Sequence, residues 1–231
     1  MNKHVIFWSI TVGLGGLLFG MDVAVISGAE LAIQQLWQLD SFTHGLAIAA
    51  ALYGTVIGAA LGGIPADLFG RKKTLFWIGL SFFISSIGAA IAPDVNLFML
   101  FRFLGGLGIG ASSVVAPIYI SEIAPAKHRG KLVISFQLNI VLGILIAYVS
   151  NYFIQGMEND WRIMLGVVSL PSLLFSVLIL LTPETPQFLL LKRNDLAGAR
   201  KVLELADPNP EEMIQRIQNN AKQSTEKERL F

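Results

Sequence analysis

The sequence has no cysteine, only three histidines and few charged residues. Without cysteine the chain has no disulfide, no thiolate nucleophile and no cysteine metal site. Charged residues make up 14% of the 231 residues, against about 25% in soluble proteins. Hydrophobic residues make up 54%, and the mean hydropathy is +0.63. This composition excludes an ordinary soluble domain and indicates an integral membrane protein.

Six long runs of apolar and small residues divide the first 183 positions. About 20 such residues cross the hydrocarbon core of a bilayer as a helix. The runs therefore predict an all-α membrane protein with six transmembrane helices, at about 5–28, 45–67, 74–93, 97–121, 132–155 and 162–183. A cleaved signal peptide is the alternative for the first run, but a run of this length exceeds a normal signal-peptide core.

Basic residues are concentrated in two of the segments between spans. The segments after spans one and three carry no lysine or arginine and hold Glu30, Asp40 and Asp94. The segments after spans two and four hold Arg71, Lys72, Lys73, Lys127, Arg129 and Lys131. Because segments rich in lysine and arginine stay in the cytoplasm, we expect a multi-pass protein of the plasma (inner) membrane with both termini cytoplasmic.

The six spans also repeat as two sets of three. Residues 14–20 read LGGLLFG and residues 104–110 read LGGLGIG, an offset of 104 − 14 = 90 with five of seven positions identical. Similar offsets relate span two to span five and span three to span six. Because each set has an odd number of spans, the two sets would lie inverted in the membrane, as in the halves of some transporters. A chance likeness between glycine-rich spans is the alternative.

Two charged residues, Asp22 and Arg102, lie well inside the spans. Asp22 is six residues before the end of the first run, and Arg102 is six residues after Asn96, so both lie roughly 9 Å below the outer surface. Equal depth and opposite charge predict a buried ion pair. It is either a static link between two helices or part of a proton pathway. Charges inside a membrane commonly mark such pathways. A carboxylate takes up a proton less readily beside an arginine, so its proton affinity depends on whether the pair is made.

Several motifs at the ends of the spans resemble those of the sugar porters of the major facilitator superfamily. They are GIPADLFGRK at 63–72, RFLGGLGIG at 102–110, PIYISEIAP at 117–125, Arg129-Gly130, Trp161-Arg162 and PETP at 183–186. The resemblance implies the amino-terminal six-helix bundle of a sugar transporter that works by alternating access. It also implies a second six-span half, with lipid around both. Where the family has an arginine and a tryptophan after PESP, this chain has Gln187 and Phe188.

The resemblance implies three sets of functional residues. Sugar contacts fall on Gln137, Phe19 and Ile144, and proton coupling on Asp22 and Arg102. Gln137 and Ile144 share a helical stripe, although a lone glutamine also serves as a link between helices. A cytoplasmic charge network, which acts as a gate, falls on Asp67, Gly70, Arg71, Glu122, Arg129 and Glu184.

The expected activity is uptake of a hexose or pentose together with a proton. The alternatives are an uncoupled sugar facilitator, and a non-transporting sensor or fragment that lacks the second half. An enzyme is disfavoured, because no span contains a histidine that could activate a serine such as Ser112. We expect no cofactor, no metal and no nucleic-acid partner. Residues 185–231 are predicted to form cytoplasmic linker helices, with one amphipathic helix over 187–206 and a frayed tail after Asn220.

Overall fold

The computed structural model describes residues 2–125, 127–207 and 209–228, and these residues form helices and short connections without a strand. The helices are α1 Lys3–Leu36, α2 Ser41–Leu61, α3 Gly63–Phe69, α4 Arg71–Ile91, α5 Val95–Ile123, α6 Arg129–Ile154, α7 Asp160–Val167, α8 Ser169–Leu180, α9 Pro186–Leu191, α10 Leu196–Ala206 and α11 Pro210–Glu228. Within these ranges six helical stretches are long and apolar enough to cross a membrane: α1, α2, α4, α5, α6 and the joined α7–α8.

Helix ends differ from the ends of the apolar runs. The first helix continues to Leu36, and α2 begins at Ser41, four residues before the second run. Asp40 caps α2, because its carboxylate accepts a hydrogen bond from the Thr43 amide at 3.1 Å, and such a cap allows polar residues to start a helix. Hydropathy therefore marks the thickness of the membrane, whereas caps mark the ends of the helices.

Proline accounts for two breaks along the spans. Helix α2 ends at Leu61 and α3 starts at Gly63, two residues before Pro65. Likewise α7 ends at Val167 and α8 starts at Ser169, two residues before Pro171. In each case the proline has no N–H to donate to the carbonyl four residues earlier. The helical hydrogen-bond pattern is therefore interrupted at the end of span two and within span six.

The contacts between helices repeat in the way that the sequence repeat predicts. Helix α2 packs mainly on α5, and α1 packs mainly on α6. A Cβ at Gly58 of α2 would meet the Leu107 carbonyl of α5, and a Cβ at Gly143 of α6 would meet the Leu17 carbonyl of α1. The two contacts are related by offsets of 143 − 58 = 85 and 107 − 17 = 90. The backbone contacts of Gly106 with Ala51 and of Gly16 with Phe136 are related by the same two offsets.

These backbone contacts give a prediction about stability. At Gly106 a Cβ would collide with the Ala51 carbonyl, which cannot move aside as a flexible side chain can. We expect Gly106→Ala to lower the free energy of unfolding by about 1–3 kcal/mol. At Gly45, also inside a helix, a Cβ meets nothing within 4 Å, so Gly45→Ala is expected to be neutral or to stabilise by up to about 1 kcal/mol. Thermal unfolding of the chain in detergent measures both, and equal shifts would contradict the close-packing interpretation.

The linker segment forms three helices that pack under the bundle. Buried residues of α10 and α11, such as Val202 and Ile214, join the same apolar cluster as Trp8 of α1. The single helix predicted over 187–206 is wrong in detail, because α9 and α10 are separated at Asn194, which has a left-handed backbone with φ 53°. Asp195 then caps α10 by accepting the Gly198 amide at 2.8 Å.

The predicted frayed tail is only partly within the described residues. Helix α11 extends to Glu228, past the expected end at Asn220. Its last turns are rich in residues with high helix propensity, such as alanine, lysine, glutamine and glutamate. Residues 229–231, the last of the predicted tail, lie outside the described residues.

Candidate functional site

Asp22 and Arg102 form a buried ion pair between α1 and α5. One guanidinium nitrogen of Arg102, Nη1, donates to both carboxylate oxygens of Asp22 at 3.0 Å. The other, Nη2, donates to the backbone carbonyl of Asp22 at 3.3 Å. Each side chain is only 3% exposed. The predicted pair is therefore present in the structure, and it links the first helices of the two repeats.

Small side chains around the pair set its position. Gly105, three residues after Arg102, has no side chain, and a Cβ there would lie 3.8 Å from Asp22 Oδ1 and would collide with the Ser85 hydroxyl. The Ser85 hydroxyl donates to the Phe101 carbonyl at 2.7 Å. The Nε of Arg102 is buried and has no hydrogen-bond partner among the described residues. Among the described residues, Asp22 is therefore the charged group that neutralises the buried Arg102.

A second charged cluster is centred on Arg71 at the end of the bundle that holds the basic segments, here called the basic end. Arg71 Nη2 lies 2.9 Å from Asp67 Oδ1 and 3.1 Å from Glu122 Oε1. Its Nε donates to Glu122 at 3.2 Å, and its Nη1 donates to the Ala66 carbonyl at 3.1 Å. The side chains of Arg71 and Glu122 are 10% and 6% exposed, whereas that of Asp67 is 59% exposed. The cluster fastens the ends of α3, α4 and α5 together.

Glu184 joins the segment after α8 to the start of α4. Its carboxylate accepts the amides of Lys72 at 3.1 Å and Thr185 at 3.0 Å. Gly70 lies against this carboxylate, has a φ of 103°, and would place any Cβ on Glu184 Oε2. Only glycine adopts such a backbone at low cost. The backbone geometry and the contact with Glu184 therefore explain why position 70 is a glycine.

Two predicted charged members of the network form no ion pair among the described residues: Glu184, which accepts backbone amides instead, and Arg129. Arg129 is exposed at the first position of α6, and in the described part of the chain it has no ion-pair partner. The predicted ion pair of Arg129 is therefore not observed. Its position next to the segment between α5 and α6 fits the abundance of basic residues there, which the positive-inside rule explains without a specific partner.

Phe19 and Gln137 meet at a cavity of about 300 Å³ between α1, α5 and α6. Its other lining residues are Ser113, Pro117, Val133, Phe136 and Ile140. Gln137 is exposed on α6, so its amide is free to reach a ligand. Ile144 does not line this cavity, and it packs against the apolar cluster that contains Met21 and Ala147. The structure thus brings together two of the three predicted sugar contacts.

Some residues of the basic end were not anticipated from the sequence. Phe188 lies near two guanidinium groups, with Arg71 at 5.7 Å and Arg193 at 5.5 Å from its ring centroid. Lys72 donates through Nζ to the Leu180 carbonyl at 2.8 Å, and the Tyr119 hydroxyl donates to the Pro183 carbonyl at 2.8 Å. Tyr119 and Lys72 lie inside the motifs at 117–125 and 63–72, so the sequence did point to these two residues. For Arg193 the sequence offered none.

Within residues 2–125, 127–207 and 209–228, no group of three histidine or carboxylate side chains gathers closely enough to bind a metal ion. The polar groups that converge instead form the Asp22–Arg102 pair, the Arg71 cluster and the Gln137 cavity.

Comparison with known proteins identifies the family. The family described as "Sugar (and other) transporter" matches residues 8–231, nearly the whole chain. The chain belongs to this sugar transporter family. The D-xylose transporter of Levilactobacillus brevis is 38% identical over 211 residues, which are 91% of this chain and 46% of that protein. The galactose-proton symporter of Escherichia coli K12 is 36% identical over 211 residues, which are 91% of this chain and 45% of that protein.

A solved structure gives the corresponding fold. The proton:xylose symporter XylE of the major facilitator superfamily, bound to 6-bromo-6-deoxy-D-glucose, superposes with a TM-score of 0.90 at 32% identity. The match covers 95% of this chain and 54% of the XylE chain. The chain therefore spans about half the length of the relatives it matches, and its six-helix bundle corresponds to their amino-terminal half.

Proposed function

We propose that this chain supplies the amino-terminal half of a sugar transporter that takes up a hexose or pentose together with a proton. The observation that carries this proposal is the buried Asp22–Arg102 pair, with Arg102 Nη1 at 3.0 Å from both carboxylate oxygens. Ionisable residues inside a membrane are costly and rare, and they commonly mark proton or substrate pathways. Relatives described as proton symporters of galactose and arabinose support the same coupling.

The mechanism follows from the helices that the pair joins. While Asp22 is ionised, its attraction to Arg102 holds α1 against α5. A proton that reaches Asp22 from outside removes the negative charge, weakens the contact and allows α1 and α5 to move apart. The bundle then rocks against the second half, as in other transporters built from inverted repeats. Helices α2 and α6, the spans least covered by the rest of the chain, supply the face for that second half.

Sugar binding is assigned to the cavity that contains Phe19 and Gln137. An amide side chain offers both a donor and an acceptor to sugar hydroxyls, and an aromatic ring offers an apolar face. At about 300 Å³ the cavity is at the lower limit for small-molecule sites, so the second half completes the site. Ile144 remains a proposed contact, reached after α6 turns toward the second half.

A chimaera tests the proposed function. In it this chain replaces the matching half of the D-xylose transporter of L. brevis, which is 38% identical. In liposomes with an imposed inward proton gradient, the chimaera is expected to accumulate radiolabelled xylose, and a protonophore is expected to abolish the accumulation. Uptake that only equilibrates the sugar, with or without the gradient, would indicate a facilitator. Binding without any uptake would favour a sensor.

The sugar site gives a second test in the same chimaera. Replacing Gln137 by leucine keeps the approximate volume and removes the hydrogen bonds of the amide. We expect the sugar affinity to fall roughly tenfold, which corresponds to about 1.4 kcal/mol. Gln35→Leu, an exposed glutamine near the end of α1, is the matched control and is expected to leave the affinity unchanged. Sugar binding is measured by equilibrium dialysis, and an unchanged affinity for Gln137→Leu would remove Gln137 from the site.

The orientation in the plasma membrane is proposed with the basic end in the cytoplasm. The chain has no cysteine of its own, so single cysteines are specific labels. A cysteine at position 94, between α4 and α5, is expected to react with an impermeant thiol reagent added to intact cells. A cysteine in place of Lys73 is expected to react only after the membrane is opened. The reverse pattern would place both termini outside.

A further inference from the structure

A groove of about 510 Å³ lies outside the proposed sugar site. Its floor is α5, with Leu104, Leu107 and Gly108, and its walls are α4, with Trp77, and α3, with Phe69. Most of its lining is apolar, and Trp77 and Phe69 are 62% and 60% exposed. The groove therefore opens on the outside of the bundle.

One cation lies at the mouth of this groove. Lys73, in the first turn of α4, lines the groove and is exposed. Its neighbours are engaged elsewhere, Arg71 with Glu122 and Lys72 with the Leu180 carbonyl. By contrast, no carboxylate of the described residues forms an ion pair with Lys73. The groove thus combines an apolar floor with an unneutralised positive charge at one end.

The second half of the transporter does not account for this groove. None of its lining residues comes from α2 or α6, the two spans that the rest of the chain covers least. It lies along α4 and α5, both long enough to cross the membrane. In a bilayer, the space outside these spans is filled by lipid.

We propose that the groove binds an anionic phospholipid, with an acyl chain along Leu107 and Gly108 and the phosphate on Lys73. The length of the lysine side chain allows its ammonium group to reach the headgroup level while its methylenes stay in the apolar region. Basic pockets between transmembrane helices on the cytoplasmic side bind anionic headgroups in this way. The proposal requires that α4 and α5 span the membrane, but it does not require transport. The lipid site and the proposed transport function can therefore each be disproved without the other.

Trp77 is a reporter for the proposed lipid. The chain is reconstituted in phosphatidylcholine bilayers that contain a small fraction of brominated phosphatidylglycerol or, at the same fraction, brominated phosphatidylcholine. Bromine quenches a tryptophan that it contacts, and the signal of Trp77 is obtained by subtracting that of the Trp77→Phe variant. We expect phosphatidylglycerol to occupy the site roughly fivefold more than phosphatidylcholine, as expected for one lysine at a membrane surface, and less so at high salt.

Variants separate a specific site from general attraction to the basic end. Lys73→Gln is expected to make the two lipids quench equally, whereas Lys131→Gln, an exposed lysine at the same end on α6, is expected to preserve the preference. A Cβ at Gly108 would have no contact closer than 3.6 Å, so Gly108→Ala adds a methyl group to the floor of the groove without a collision and is expected to reduce quenching by both lipids. Equal quenching in the unmodified chain, or the same loss of preference in Lys73→Gln and Lys131→Gln, would overturn the proposal.

Discussion

Replacing Asp22 by asparagine is expected to abolish sugar accumulation driven by a proton gradient in the chimaera, while sugar binding and exchange persist. Asparagine has nearly the volume of the protonated aspartate and carries no charge, so the contact with Arg102 stays permanently weak. The change of access then no longer depends on a proton. Because Arg102 remains buried without its counter-charge, we also expect a loss of about 3–5 kcal/mol in stability.

A double variant distinguishes coupling from stability. In Asp22→Asn with Arg102→Gln both charges are absent, so the uncompensated buried charge that causes the large loss in the single variant is removed. We therefore expect thermal unfolding to return toward that of the parent, while accumulation against the gradient remains absent. If Asp22→Asn accumulates sugar as well as the parent does, Asp22 is not the coupling residue, and the static link between α1 and α5 is the better interpretation.

The sequence was sufficient to predict this pair because hydropathy locates depth in a membrane. Asp22 lies 36 − 22 = 14 residues before the end of α1, whereas Arg102 lies 102 − 95 = 7 residues after the start of α5. Counting from the helix ends would therefore have placed the charges at different depths. Counting from the ends of the apolar runs placed them together, since α1 continues beyond the apolar region.

Details of the basic end depended on tertiary contacts that no local pattern encodes. The quoted motifs identified Arg71, Glu122 and Glu184 as a network, but they did not indicate which of them would meet. Glu184 bonds to the amides of Lys72 and Thr185, and Arg129 stays exposed. Phe188 stands where the family has a tryptophan, and its ring lies near both Arg71 and Arg193. Such contacts follow from how α9 packs under the bundle, which is set by many apolar residues together.

In the Arg71 cluster, we expect the loss of stability to be larger when Arg71 is replaced than when its buried partner Glu122 is replaced. Arg71→Gln leaves the Glu122 carboxylate, 6% exposed, without its counter-charge, and removing one member of such a pair costs about 3–5 kcal/mol. Glu122→Gln leaves Arg71 bound to Asp67 and to the Ala66 carbonyl, so it is expected to cost clearly less. Thermal unfolding of the two variants in detergent measures the difference.

Transport by the same variants tests whether the cluster acts as a gate. If the ends of α3, α4 and α5 are held together in only one access state, Glu122→Gln weakens that state and should slow xylose turnover by the chimaera more than it weakens xylose binding. Arg129→Gln is the matched control, because Arg129 is an exposed basic residue at the same end and has no ion-pair partner within the described residues. It is expected to change neither turnover nor binding. A parallel loss of turnover and binding in Glu122→Gln would indicate general misfolding. If Arg129→Gln slowed turnover as much as Glu122→Gln does, the rate would depend on charge at the basic end and not on the Arg71–Glu122 contact.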